Sequence, residues 1–241
     1  MGLLRGLGKL VGSLVFTTFL VLAILLMELV DFTSYDNFKS VAGEIFEGQL
    51  FSTISDSDLD SMRNFLLFQC SGRDKVSIPL FGGQPVVLSC SDVKNSDITQ
   101  LKSLIKTAVI DSVYYKDFGC SFIDCVTAGN PEDLLIVLSE EGNEFYKSLQ
   151  MYAWIGTAIG LGLLVASIKP WAGRLKGVGF NLVFTGLPFL VLGYAQDALF
   201  SSLTTDVSAT VPPIIDDMLS SLSAKFMIVL VAGVVLLAAG Y

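Results

Sequence analysis

Four stretches of the chain are almost continuously apolar, and the segments between them alternate polar and apolar residues at helical or strand spacing. Leu10 to Val30 carries a single charge, Glu28, near its end. A helix of about 20 residues crosses the ~30 Å hydrocarbon core of a bilayer, so this run reads as a first span, 10–30. Arg5 and Lys9 precede it as they would precede a signal peptide. The run is too long for a signal-peptide core and no small-residue cleavage site follows it, so a retained anchor is expected. Leu149 to Ile168, stopped by Lys169-Pro170, gives a second span (149–168), Val178 to Ala195 a third (178–195) and Leu222 to Tyr241 a fourth (222–241). Tyr152 and Trp154, Trp171 and Tyr194 fall where interfacial aromatic residues belong.

The intervening segments, 31–148 and 196–221, have the periodicity of folded polypeptide. Ser34 opens a helical pattern of Tyr35, Phe38, Val41, Ala42, Ile45 and Phe46 that could prolong the first span. A second helix is predicted over Asp56 to Gln69, with Leu59, Met62, Phe65, Leu66 and Gln69 along one side. A third opens at Ser96 and carries the stripe Ile98, Leu101, Leu104, Ile105, Ala108 and Val109. Asn130, Pro131 and Asp133 have the form of a helix start, and that helix would run, bent at Gly142, into the second span. Lys75 to Leu80 and Val86 to Ser89 flank Phe81-Gly82-Gly83-Gln84-Pro85 and read as a hairpin. The second polar segment continues the third span as helix through Leu203, then restarts at Pro212-Pro213 toward the fourth. The expected fold is therefore an all-α integral membrane protein: four spans and a mainly helical extracytoplasmic domain with one small hairpin.

Charge sets the orientation. The N-terminal segment 1–9 holds Arg5 and Lys9, the 169–177 segment holds Lys169, Arg174 and Lys176, and neither holds an acid. Both are expected on the cytoplasmic side of a plasma or cytoplasmic membrane, with all 23 acidic residues in the first span or beyond it. Composition agrees, with 52% hydrophobic and 16% charged residues and a mean hydropathy of +0.66. The formal charge of −8 argues against a nucleic-acid partner, whose phosphates require a basic surface.

The four cysteines, Cys70, Cys90, Cys120 and Cys125, all lie in segment 31–148, the distribution expected of two disulfides in an oxidising compartment. Three pairings are possible. Cys70 with Cys90 would close the hairpin and Cys120 with Cys125 a small loop, the combination the spacing favours. A four-thiolate zinc site is the rival, but paired Cys-x2-Cys spacing is absent.

Candidate chemistry is sparse. With no His in the chain, imidazole bases, His-dependent nucleophilic sites and His-ligated metals are excluded. No phosphate-binding Gly loop, redox Cys pair or zinc-protease motif is present, so no cofactor is expected. Asp56, Asp58 and Asp60 alternate like calcium ligands, but Ser61 and Leu67 stand where such a loop requires Gly and Glu. They read better as acids at a helix N-terminus. Gly156 and Gly160, with Gly162, and the heptad-spaced Gly179, Gly186 and Gly193 offer small-residue surfaces for close helix packing, within one subunit rather than between subunits. Glu28 and Lys225 lie at matching depth near the outer ends of their spans and are expected to form an interfacial ion pair.

These features lead to the expectation of a non-enzymatic membrane protein. Its external domain would recognise or assemble with a membrane or extracellular protein, or with further copies of the chain. A subunit of a homo-oligomeric channel is the alternative, and a His-free membrane enzyme using carboxylate or Ser-Lys chemistry the third.

Overall fold

The computed structural model describes residues 2–46, 56–79, 85–129, 133–203 and 211–241; side chains are described except at 2–5, 45–46, 56, 79, 133–134, 192–203 and 211–217. The described chain is mainly helical, with one two-stranded sheet. It divides into two compact units, Met1–Phe32 with Glu144–Tyr241, and Thr33–Asn143.

The first unit contains four long helices, α1 (Gly2–Phe32), the greater part of α7 (Glu140–Ser167), α8 (Trp171–Leu203) and α9 (Val211–Ala239). Three helical stretches, Gly6–Phe32, Glu140–Ser167 and Met218–Ala239, are long and apolar enough to cross a membrane. The expected third span falls on α8, the end of which lies outside the described side chains. The expected loop 169–177 is mostly helix. Lys169-Pro170 ends the approach of α7, but Trp171 already starts α8, because Pro170 leaves its carbonyl free to accept the Arg174 N–H at 3.0 Å. The helix then continues through Pro188. Phe16, Leu20 and Ile24 of α1 form a buried cluster with Leu222 and Phe226 of α9, and the Phe226 ring stacks on Phe189 of α8.

Close approach between these helices depends on glycine. A Cβ on Gly160 would lie 2.7 Å from the Phe16 Cα, and one on Gly12 would lie 2.6 Å from the Leu164 N, so α1 and α7 meet backbone to backbone. Gly179 and Gly186 meet α9 in the same way, against Gly233 O and Leu230 Cβ, each at 2.8 Å. In a bilayer, where water does not drive helices together, such backbone proximity supplies the packing.

The second unit contains α2 (Tyr35–Phe46), α3 (Asp56–Gln69), β1 (Lys75–Pro79), β2 (Pro85–Ser89), α4 (Cys90–Asn95), α5 (Ile98–Tyr114), α6 (Phe122–Ala128), a 3₁₀ helix (Asp133–Leu138) and the first residues of α7. Helix α2 does not continue α1: the chain turns at Thr33-Ser34, and the Ser34 carbonyl accepts the Phe38 N–H at 2.8 Å to start a new helix. Helix α5 is capped by Asp97 rather than Ser96. Asp97 accepts from the Gln100 N–H, and the Gln100 side chain accepts from the Asp97 N–H, a reciprocal pair that Ser96 could not make from one residue earlier. Asn130 and Pro131 lie outside the described residues, as does the turn Phe81-Gly82-Gly83-Gln84. Asp133 begins a 3₁₀ helix instead of a continuous α-helix, and α7 starts afresh at Glu140 and runs through Gly142.

The core of this unit gathers Leu66 of α3, Cys70 just after it, Val76 of β1, Val86 and Leu88 of β2, and Leu101, Ile105 and Val109 of α5. Phe65 departs from the expected stripe and is 58% exposed. At about 100° per residue, Leu59, Leu66 and Cys70 share one side of the helix, while Phe65 is rotated well away from it. The Cys70–Cys90 bond fixes which side faces inward, with sulfurs 2.04 Å apart and Cα atoms 5.4 Å apart. Cys120 and Cys125 form the second pair, with Cα atoms 5.7 Å apart. The two places where the chain enters and leaves this unit are tied by the buried Asn143 Nδ2, which donates to Thr33 Oγ1 at 2.9 Å; the Tyr114 hydroxyl donates to the Thr33 carbonyl at 3.1 Å.

Candidate functional site

Sheet register defines the most distinctive surface of the second unit. The strands are antiparallel, with Val76 opposite Leu88 and Ser77 opposite Val87. Just beyond the paired residues, the Cys90 N–H donates to the Asp74 carbonyl at 2.9 Å, which makes that facing pair a hydrogen-bonded one. Antiparallel pairs alternate, so Val76–Leu88 and Ile78–Val86 are also hydrogen-bonded pairs, whereas Lys75–Ser89, Ser77–Val87 and Pro79–Pro85 are not. Both prolines thus occupy positions where the ladder needs no N–H. The backbone N–H and C=O of Val87 and the N–H of Ser89 point away from β1, and no described backbone group pairs with them, whereas the Ser89 carbonyl, at the N-cap of α4, belongs to that helix.

A groove of about 430 Å³ lies along this edge. Val87, Leu88 and Ser89 of β2 and Val93 form part of its lining, and Leu104, Thr107 and Ala108 of α5 another part. Lys75, Asp92 and Asp111 supply its charges. A second depression, lined in part by Asn95, Gln100 and Ser103, shares Asp92 and Leu104 with it, so the concavity follows α5 from Gln100 to Asp111. Helical rise makes that distance about 16 Å, the length of roughly five extended residues. The α5 stripe that the sequence marks as apolar is wider than the core uses: Leu101, Ile105 and Val109 are buried, while Leu104 and Ala108 remain half-exposed and form the groove wall.

Asp111 of the groove lining is held by a residue of α2. The Tyr35 hydroxyl of α2 donates to Asp111 Oδ1 at 2.5 Å, and the Tyr35 ring contacts Tyr114 edge-on and stacks on Tyr115. That hydrogen bond, with burial and the Asp111 charge behind it, pushes the Tyr35 phenol up to about 12.

The other residues singled out in the sequence take simpler places. Asp58 and Asp60 are exposed on the first turns of α3, and the Asp56 side chain lies outside the described residues. Glu28 and Lys225 are brought together at 2.7 Å, with Asp31 also 2.7 Å from the Lys225 ammonium and the Ser221 hydroxyl donating to Glu28 at 2.9 Å. Gly156 and Gly160 face Phe19 and Phe16 of α1, and Gly179 and Gly186 face α9, all within the one chain. A Cβ on Gly162 would meet nothing within 4 Å, so this residue does not belong with them, being rotated about 200° from Gly160 around the helix. Gly193 sits on α8 beyond the described side chains.

Sequence reasoning missed a polar cluster in the first unit. Asn181 of α8, 7% exposed, accepts hydrogen bonds from Ser13 and Thr17 of α1 at one oxygen and donates to the Gly177 carbonyl at 2.7 Å. The signal was present as three polar residues in otherwise apolar runs, but their convergence depends on how α1 and α8 pack.

No protein-family model, curated protein or solved structure matches the chain.

Proposed function

We propose that this chain is a non-enzymatic four-span membrane protein whose extracytoplasmic domain, centred on Thr33–Asn143, binds a partner protein by accepting an extended segment along the free edge of β2. The observation that carries this reading is the groove between β2 and α5, where the outward N–H and C=O of Val87 and the N–H of Ser89 run beside an apolar wall. Edge-strand addition uses that combination: main-chain hydrogen bonds supply affinity, and side-chain pockets select the sequence. Leu104 and Ala108 favour an apolar residue in the incoming segment, and Asp92 favours a basic one beside it. The absence of His and of a catalytic motif supports a binding role, as do the short segments expected on the cytoplasmic side.

Photo-crosslinking from the full chain in its native membrane tests this. A benzophenone side chain at half-exposed Thr107 in the groove wall is expected to capture a partner, and the same group at Phe68 on α3 is not. Val87→Pro should abolish capture and leave the fold intact, because it removes an N–H that β1 does not use. Capture unchanged by Val87→Pro would reject the proposal. A homogeneous ring in native mass measurements, together with bilayer currents indifferent to Val87→Pro, would favour the homo-oligomeric channel instead.

A further inference from the structure

The polar cluster of Ser13, Thr17 and Asn181 opens onto a groove of about 290 Å³ between α1 and α8. Its apolar walls are bare: Leu10 is 64% exposed, Leu14 65%, Phe180 64% and Phe184 65%. At the level of a bilayer, acyl chains lie against such walls. We propose that this groove is a binding site for one anionic phospholipid.

Three features select that ligand. The Asn181 amide nitrogen has two protons and gives one to Gly177 O, which leaves the second for an ester carbonyl oxygen of a lipid in the groove. Lys9 is exposed, immediately precedes Leu10 and stands one helical turn from Ser13. Four residues of helix rise about 6 Å, which matches the headgroup layer of roughly 5–7 Å outside the hydrocarbon core, so Lys9 lies at phosphate depth when Asn181 lies at ester depth. Charge at this end is one-sided, with Arg5, Lys9, Lys169, Arg174 and Lys176 and no acid in the two segments. Lys176 packs over the Tyr241 ring, and Lys9 is a described cation one turn from Ser13. A basic position at the mouth of an interhelical groove attracts anionic headgroups. The phosphate would meet Lys9, an ester carbonyl would meet Asn181, and one acyl chain would pass between Leu14 and Phe184.

The full chain, purified in mild detergent and exchanged into vesicles of equal phosphatidylglycerol and phosphatidylcholine, is re-extracted and its bound lipid counted by mass spectrometry. One phosphatidylglycerol per chain is expected, with a preference over phosphatidylcholine that Lys9→Gln reduces about fivefold. Leu14→Trp, at an exposed position and without a charge change, should fill the groove and expel the lipid from a chain that still folds. Equal retention of the two lipids, a preference unaffected by Lys9→Gln, or a co-purifying protein helix crosslinked at Leu14 would overturn the proposal. Partner capture at Thr107 is read independently, so either proposal can fail alone.

Discussion

Asp111 joins two parts of the second unit, one carboxylate oxygen accepting the Tyr35 hydroxyl while the residue also lines the β2–α5 groove. The bond makes the Tyr35 proton hard to remove, and the phenol is pushed from its ordinary 10 up to about 12. Below pH 10 both folded and unfolded chains keep this proton, and the bond contributes fully to stability. Above pH 10 the unfolded chain releases it first, so the contribution is lost as pH rises from about 10 through about 12. In a spectrophotometric titration, the phenol missing from Tyr35→Phe relative to the parent chain is expected to be one that ionises near pH 12. The variant should also lose less stability across that interval. A missing phenol that ionises near pH 10 would contradict the hydrogen bond. The sequence shows Tyr35 on the apolar side of a helix, but its partner is 76 residues away along the chain, and local periodicity carries no information about such a pairing.

Elements show where periodicity suffices and where it fails. The long helices and the hairpin are legible because two or more turns, or two alternating strands, repeat their pattern. Helices α4 and α6 have six and seven residues, too few for a stripe to establish itself. Small-residue packing is legible only in part: Gly156 and Gly160 share a helical face, whereas Gly162 points elsewhere, a distinction that helical geometry alone could have made. The partner glycines Gly12 and Gly233 could not be assigned, since a single sequence does not say which helices meet. Gly160→Leu is expected to force α1 from α7, with an overpacking cost of about 1–3 kcal/mol and a lower melting temperature in detergent. Gly162→Leu should melt like the parent chain. Equal damage from both substitutions would remove the α1–α7 contact as a source of stability.

At the scale of the whole molecule, the proposed sidedness rests on two distributions, of charge and of sulfur. Basic residues without acids in 1–9 and 169–177 are expected to resist translocation, and two disulfides in Thr33–Asn143 are expected to form on the oxidising side. The four-span topology follows only if α8 crosses along with the three helices that are apolar and long enough by themselves. All four cysteines are paired, so an introduced cysteine supplies the reactive thiol. Thr99→Cys, exposed on the first turn of α5, is expected to react with an impermeant maleimide on intact cells. Ala172→Cys, exposed on the first turn of α8, should react only after the membrane is opened. The reverse pattern would invert the orientation, and reaction of both on intact cells would show that α7 does not cross. A cysteine at exposed Ser220 of α9 completes the experiment. Its labelling on intact cells, with Ala172→Cys protected, requires α8 to traverse the bilayer between the two positions, whereas protection of both would leave α8 on the cytoplasmic side.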